Sequence, residues 1–169
     1  MTGPSLRLMT TRDLPGVLAL EAALFGEEAW SREMLAGELS QQPATRYYLA
    51  AEQDGTLIGY AGLLTAGEQA DVLTIAVAAA EQGRGIGSRL LAALLGRARQ
   101  RGCTEVFLEV RTDNTRAQRL YQWWGFTEIG IRKAYYQPSG TDAIVMRRDL
   151  AVAAGAELIA PGPAGGGGK

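Results

Sequence analysis

Apolar residues recur along this chain in two rhythms, one with the period of a strand and one with that of a helix. Leu6 to Thr10 predicts a first strand. A helix follows from about Asp13 to Phe25, where Leu14, Val17, Leu18, Glu21, Leu24 and Phe25 trace a mostly apolar stripe. Ser31 suits the N-cap of a short second helix, SREMLAGELS, which Gln42-Pro43 ends. Tyr47 to Glu52 and Thr56 to Leu64 then read as strands. They flank Asp54-Gly55, a pair that tolerates positive φ and so predicts a two-residue antiparallel hairpin.

Asp71 to Val77 is a further strand, rich in Val, Ile and Thr, and it runs through three alanines into EQGRGIGSRLL. Beyond those glycines Leu90, Leu91, Leu94, Leu95 and Ala98 repeat at helical spacing, with Arg89, Arg97 and Arg101 off the stripe. Cys103 to Val110 is again strand-like. The segment from 71 to 110 therefore predicts a strand, loop, helix and strand joined as a right-handed parallel crossover. Asn114 to Trp124 predicts a helix closed by Gly125, and Phe126 to Arg132 and Asp142 to Asp149 predict the last strands. After Leu150 the sequence AVAAGAELIAPGPAGGGGK is poor in large apolar residues, so residues 1–150 are expected to form one domain and 151–169 a disordered tail. The final GGGGK is not expected to be a phosphate-binding P-loop, because Pro163 stands where a glycine is needed.

Composition narrows the chemistry. With 47% apolar residues among 169, one compact core is expected. A formal charge of -1 offers no global attraction to nucleic acid or to anionic membrane, although Arg84, Arg89, Arg97, Arg99 and Arg101 mark a local basic patch. The single Cys103 excludes an internal disulfide, no apolar run is long enough to cross a bilayer, and the amino terminus lacks a signal-peptide core. A cytoplasmic protein is expected. Histidine is absent, which removes Ser-His-Asp and Cys-His catalysis and leaves a zinc site without its usual nitrogen ligand. No metal is expected, and catalysis would fall to carboxylates, tyrosine or backbone. Cys103, at a strand entrance with no histidine partner, reads as a structural thiol rather than a nucleophile.

The glycine-rich stretch has two readings. Backbone N–H groups at a helix start converge on one point where the helix dipole adds about half a positive charge, which makes an anion site. Gly83, Gly85 and Gly87 would let a phosphate approach the backbone, with Arg84, Ser88 and Arg89 as further donors. Equally, the glycines would shape a tight strand-to-helix turn. The dinucleotide pattern G-x-G-x-x-G fails, because Ser88 occupies the third glycine's place.

Gln82-Gly83-Arg84-Gly85-Ile86-Gly87 resembles the Q/R-x-x-G-x-G/A signature of the GNAT N-acetyltransferases. TIAV at 74–77, FLEVRTDN at 107–114, LYQWWGF at 120–126 and the YY and DAIVM segments within 135–146 agree in order and spacing, and together they resemble the RimI branch. The resemblance covers most of residues 6–149. It implies an α/β (α+β) GNAT fold, with a mixed, mostly antiparallel sheet splayed at a parallel strand pair and flanked by helices. It also implies acetyl-CoA as cosubstrate and, as acceptor, a protein N-terminus, that of a ribosomal protein with N-terminal alanine. No direct nucleic-acid or membrane partner is implied. By position, Ile75, Ala76 and Val77 would present backbone to the pantetheine. Gln82, Gly83, Arg84, Gly85, Ile86, Gly87 and Ser88 would hold the pyrophosphate, and Asn114 would contact the coenzyme arm or cap its helix, or do both.

Strand alternation puts Val106, Leu108 and Val110 on one face and Glu105, Phe107 and Glu109 on the other. A strand glutamate is ordinarily a solvated side chain. The resemblance makes Glu109 the base that deprotonates the attacking amine, and Tyr121 the acid that protonates the departing sulfur. Tyr121 otherwise reads as a half-buried anchor beside Ala117, Leu120 and Trp124. Trp30, Tyr135 and Tyr136 would line the acceptor groove or pack in the core. Relatives of this branch often carry Pro-Trp-Ser where this chain has Ala29-Trp30-Ser31. An acetyltransferase for lysine or small amines would share the donor site, and a non-catalytic acetyl-CoA sensor would share the fold.

Overall fold

The computed structural model describes residues 3–150, so the tail expected over 151–169 lies outside the described residues. Seven strands form one sheet in the order β1-β2-β3-β4-β5-β7-β6. These are β1 (Ser5–Leu8), β2 (Arg46–Gln53), β3 (Thr56–Ala66), β4 (Gln69–Val77), β5 (Glu105–Arg111), β6 (Thr127–Tyr136) and β7 (Thr141–Asp149). Four helices flank them: α1 (Leu14–Phe25), α2 (Arg32–Ser40), α3 (Ile86–Gln100) and α4 (Thr115–Trp123). Every neighbouring pair is antiparallel except β4 and β5, joined through α3 as the parallel crossover that the periodicity predicts.

Element boundaries moved modestly. The first strand ends at Leu8 rather than Thr10, and a 3-10 turn over Thr11–Asp13 precedes α1. There the Asp13 carboxylate accepts the Thr10 N–H at 2.9 Å and the Arg7 guanidinium at 2.7 and 2.8 Å, so side-chain pairing takes over from helix at that end. The β6 strand runs four residues past Arg132, to Tyr136, with irregular pairing on the way. At the β2–β3 hairpin both Asp54 and Gly55 have positive φ, 51° and 77°, as the dipeptide predicts.

Alternation along the strands sends side chains into two cores. On one face Leu90, Leu91, Leu94, Leu95 and Ala98 of α3 pack against Leu49, Ala51, Val106, Leu108 and Val110. The other face carries Leu14, Val17, Leu35 and Leu39 of α1 and α2 against Tyr48, Ala50, Tyr60 and Ala76. Burial of each α3 leucine contributes about 1.5–3 kcal/mol relative to exposure. One glycine is dictated by close approach: a Cβ at Gly62 would stand 2.2 Å from the Tyr48 ring.

Candidate active site

The β4–β5 register creates the site. Pairing between these parallel strands runs only from Gln69↔Glu105 to Val72↔Leu108, so the ends Leu73–Val77 and Glu109–Arg111 diverge. Beyond that point β4 stays paired on its other edge, with Thr74, Ile75, Ala76 and Val77 opposite Gly62, Ala61, Tyr60 and Gly59 of β3. Leu73 is the extra residue of a bulge, since Leu63 faces Val72 while Gly62 faces Thr74. The bulge shifts the alternation. Ala70 and Val72 pack on the α3 face before it, and Ile75 and Val77 pack on that same face after it.

Backbone direction in the gap follows from one hydrogen bond. The Ala78 N–H donates to Ile58 O at 2.8 Å, so by antiparallel alternation the Ala76 peptide groups also point to β3. Those of Ile75 and Val77 point into the gap. Of the three residues expected to offer backbone there, Ile75 and Val77 do so, while Ala76 is turned away because β3 takes its hydrogen bonds. The Val77 carbonyl accepts Nε2 of Gln82 at 3.1 Å, which ties the glycine-rich loop to the strand end.

That loop opens α3. Gly83 and Gly85 adopt φ of 85° and 80°, conformations that side chains with a Cβ rarely take. The Arg89 N–H is bonded to Gly85 O at 3.1 Å, so the N–H groups of Ile86, Gly87 and Ser88 lie ahead of the first intrahelical acceptor. The Ile86 side chain is core, and Ser88 Oγ accepts Nε1 of Trp124 at 3.1 Å, so what both offer a ligand includes their backbone N–H. Arg84 is directed at the Glu81 carboxylate and at Gln53 Oε1, 3.1 Å away. A cation that the sequence reading missed stands over the loop instead: Nη2 of Arg116 lies 3.3 Å from where a Cβ on Gly83 would be. Arg116 sits in the first turn of α4, two residues after Asn114, and its guanidinium forms no ion pair among the described residues. Asn114 caps α4 by accepting the Ala117 N–H on Oδ1 at 3.1 Å.

A cleft of about 530 Å³ borders the gap and is lined by residues from both faces of the sheet. Its walls include Thr74, Ile75, Glu109, Asn114, Tyr121, Trp30 and Tyr136. Tyr135 is not among them; the residue is 45% exposed and its ring lies under Arg132. Glu109 reaches the cleft from the α1–α2 face and Tyr121 from the α3–α4 face.

The two titratable groups differ in surroundings. Burial raises the Glu109 carboxyl above its ordinary range, the Arg132 guanidinium 3.6 Å away opposes this, and the charge of Asp71 adds to it. Asp71, paired across from Phe107, projects from the same face as Glu109, and burial raises its carboxyl too. Tyr121 is 7% exposed, and burial pushes its phenol up to about 12. Its hydroxyl makes no hydrogen bond among the described residues, so the donor remains available to the cleft. Tyr136 is raised by burial and by the neighbouring Tyr135, Glu109 and Tyr121.

Two more features were not read from the sequence. At the mouth, Arg111 joins Glu28 at 2.6 Å, Asp113 at 2.9 Å and Thr141 Oγ1 at 3.1 Å, linking the α1–α2 loop to β5 and to the β6–β7 hairpin. Glu21 is 1% exposed and lines the cleft. The signal for Glu21 was present, since a glutamate inside an apolar stripe is a charge that must find buried partners.

Comparison with known proteins agrees with this geometry. Residues 15–126 match the model of the Acetyltransferase (GNAT) family. The chain is 44% identical over 146 residues to the N-alpha-acetyltransferase RimI of Mycobacterium tuberculosis (strain ATCC 25618 / H37Rv), covering 83% of this chain and 89% of that protein. Among solved structures, Ard1 from Thermoplasma volcanium superposes with a TM-score of 0.80 at 25% identity, over 89% of this chain and 99% of that one. The ribosomal-protein-S18-alanine N-acetyltransferase from Escherichia coli gives a TM-score of 0.78 at 30% identity, over 89% of this chain and 96% of that one. The chain belongs to the GNAT family and is an acetyltransferase of the RimI-like group.

Proposed function

We propose that residues 1–150 transfer an acetyl group from acetyl-CoA to the N-terminal α-amine of a protein, in the cytoplasm, and that the acceptor is a small-subunit ribosomal protein beginning with alanine. The observation that carries this reading is the cleft itself, which joins an ionisable carboxylate, Glu109, on one face of the sheet to an unspent phenol, Tyr121, on the other. The residues present fit the coenzyme. The N–H groups of Ile86, Gly87 and Ser88, with Gln82, Gly83, Arg84, Gly85 and Arg116 around them, would hold the pyrophosphate. Ile75 and Val77 would bond the pantetheine amides, and Asn114 would bond the arm through the amide nitrogen that its cap leaves free.

On this reading the acceptor enters on the α1–α2 face past Trp30 and Tyr136. Its neutral amine attacks the thioester carbonyl, the C–N bond forms and the C–S bond breaks. Glu109 takes the amine proton, directly or through water, while Tyr121 donates a proton to the departing sulfur. A phenol raised to about 12 stays protonated at neutral pH. A backbone N–H near Val77 would bond the oxyanion. Neither a metal nor a covalent enzyme intermediate is needed.

The acceptor class follows from proton arithmetic. An α-amine of pKa about 7.8 is neutral roughly 10–15% of the time at pH 7, against about 0.04% for lysine near 10.4. A single carboxylate base suits the first task. The test is tandem mass spectrometry of a peptide that begins with alanine and carries an internal lysine. Acetylation at the α-amine is expected, and predominant lysine modification would transfer the assignment to a lysine or small-amine enzyme.

A further inference from the structure

Glu21 occupies a helix position where a leucine would bury favourably, yet it carries a carboxylate at 1% exposure on the wall of the cleft. Its oxygens are spent on two elements. Oε2 accepts the N–H of Trp30 at 3.1 Å, and Oε1 accepts the hydroxyl of Tyr60. Tyr60 is itself fully buried in β3, opposite Ala76. Ala76 belongs to the part of β4 past the bulge, where the strand has left β5 and borders the gap. Side-chain hydrogen bonds thus run from the α1–α2 loop through Glu21 to Tyr60, and the β3–β4 pairing ties Tyr60 to the gap-bordering segment of β4.

The loop is held at two points by carboxylates, by Glu28 on Arg111 at its outer end and by Glu21 on the Trp30 backbone at its inner end. Packing alone does not explain the inner one. Burying a carboxylate costs free energy that a hydrocarbon would not, and two directional acceptors on one side chain fix a backbone position more narrowly than apolar contact does. Truncating it would strand the Trp30 N–H and the Tyr60 hydroxyl without an acceptor.

We propose that Glu21 is a positioning residue for the acceptor: by anchoring the Trp30 backbone to the sheet, it sets the distance between the incoming amine and the thioester held along β4. This rests on the reading of the α1–α2 face as the acceptor side. It predicts an effect on acceptor use that is separable from coenzyme binding. Glu21→Gln keeps an oxygen for the Trp30 N–H and offers an amide N–H to the Tyr60 oxygen, so it preserves the geometry without the charge.

The test uses the full chain as wild type, Glu21→Ala, Glu21→Gln and Tyr60→Phe. Steady-state kinetics are measured with a peptide beginning with alanine, and acetyl-CoA affinity by calorimetry. Glu21→Ala is expected to raise the peptide KM by about 10-fold or more with acetyl-CoA affinity within about 2-fold, and Glu21→Gln to return KM to within about 3-fold of wild type. Tyr60→Phe keeps the ring that fills the core and removes one of the two donors. A KM rise of about 2- to 5-fold is expected there, and this variant decides the matter if Glu21→Ala does not fold. An unchanged KM in Glu21→Ala and Tyr60→Phe, or an equal loss of acetyl-CoA affinity, overturns the proposal. A wild type that ignores the peptide and acetylates lysine or a small amine overturns the acceptor assignment instead, and the same variants are then compared on that amine.

Discussion

The Arg132 guanidinium reaches from β6 across β7 to lie 3.6 Å from the Glu109 carboxylate. On the other side of Glu109, Asp71 projects from β4 on the same face. Glu109 is therefore set between a cation that favours its charged form and an anion that disfavours it, and burial, with that anion, outweighs the cation. This arrangement makes the pH dependence of turnover the most direct probe of the site.

Arg132→Ala removes the opposing cation and should move the acid limb of kcat/KM to higher pH, whereas Asp71→Asn should move it to lower pH. The Arg132→Ala shift is expected to be small, because Arg132 is 58% exposed and solvent screens it. A pH profile of both variants at one ionic strength is the check, and shifts of the same sign would remove Glu109 as the titrating base.

Glu109 also carries a sign for stability. Its folded carboxyl is raised above the ordinary range, chiefly by burial, so the native state binds the proton more tightly than the unfolded chain. The stabilisation from protonated Glu109 is present below the unfolded pKa and is lost as pH rises through the folded one. Glu109→Gln should therefore have a Tm equal to or above that of wild type at pH 7, with turnover reduced by about 100-fold or more. Thermal melts at pH 5 and pH 7 test this, the gain being larger at pH 7.

Tyr121→Phe deletes a hydroxyl with no hydrogen-bond partner among the described residues while keeping the ring that meets Phe126 edge-on at 6.0 Å. The variant should fold with little change in Tm and bind acetyl-CoA as wild type does. Turnover is expected to fall about 10²-fold, with peptide KM nearly constant. Stopped assays that follow thiol release measure this directly.

The proposed coenzyme contact of the glycine-rich loop is tested by two substitutions of different kind. Gly85→Asp places a Cβ at φ of 80° and an anion where phosphate would sit, so the rise in Tm on adding acetyl-CoA should vanish. Arg116→Ala removes a cation without touching the backbone and should weaken acetyl-CoA about 3- to 10-fold, with a smaller difference at high salt. Equal affinity in folded Arg116→Ala would show that this guanidinium faces solvent in the complex.

What the sequence determined by itself is what repeats locally. Leu90, Leu91, Leu94, Leu95 and Ala98 have the spacing of one buried helix face, and all five are buried. Alternation along β5 separated Glu109 from Val106, Leu108 and Val110, and those three are core while Glu109 is not. Asp54-Gly55 predicted positive φ at the β2–β3 hairpin, and both residues adopt it. The tertiary structure alone decided where backbone goes unpaired. Periodicity reports which face of its own strand a side chain takes, and says nothing of where two strands part. The gap past Val72 and Leu108, the bulge at Leu73 that restores Ile75 and Val77 to the α3 face, and the turning away of Ala76 all depend on register between separate strands. Glu21 shows the same division: its place in an apolar stripe was plain, but its partners are 9 and 39 residues away, and only the packing of α1 on β3 brings Trp30 and Tyr60 to its two oxygens.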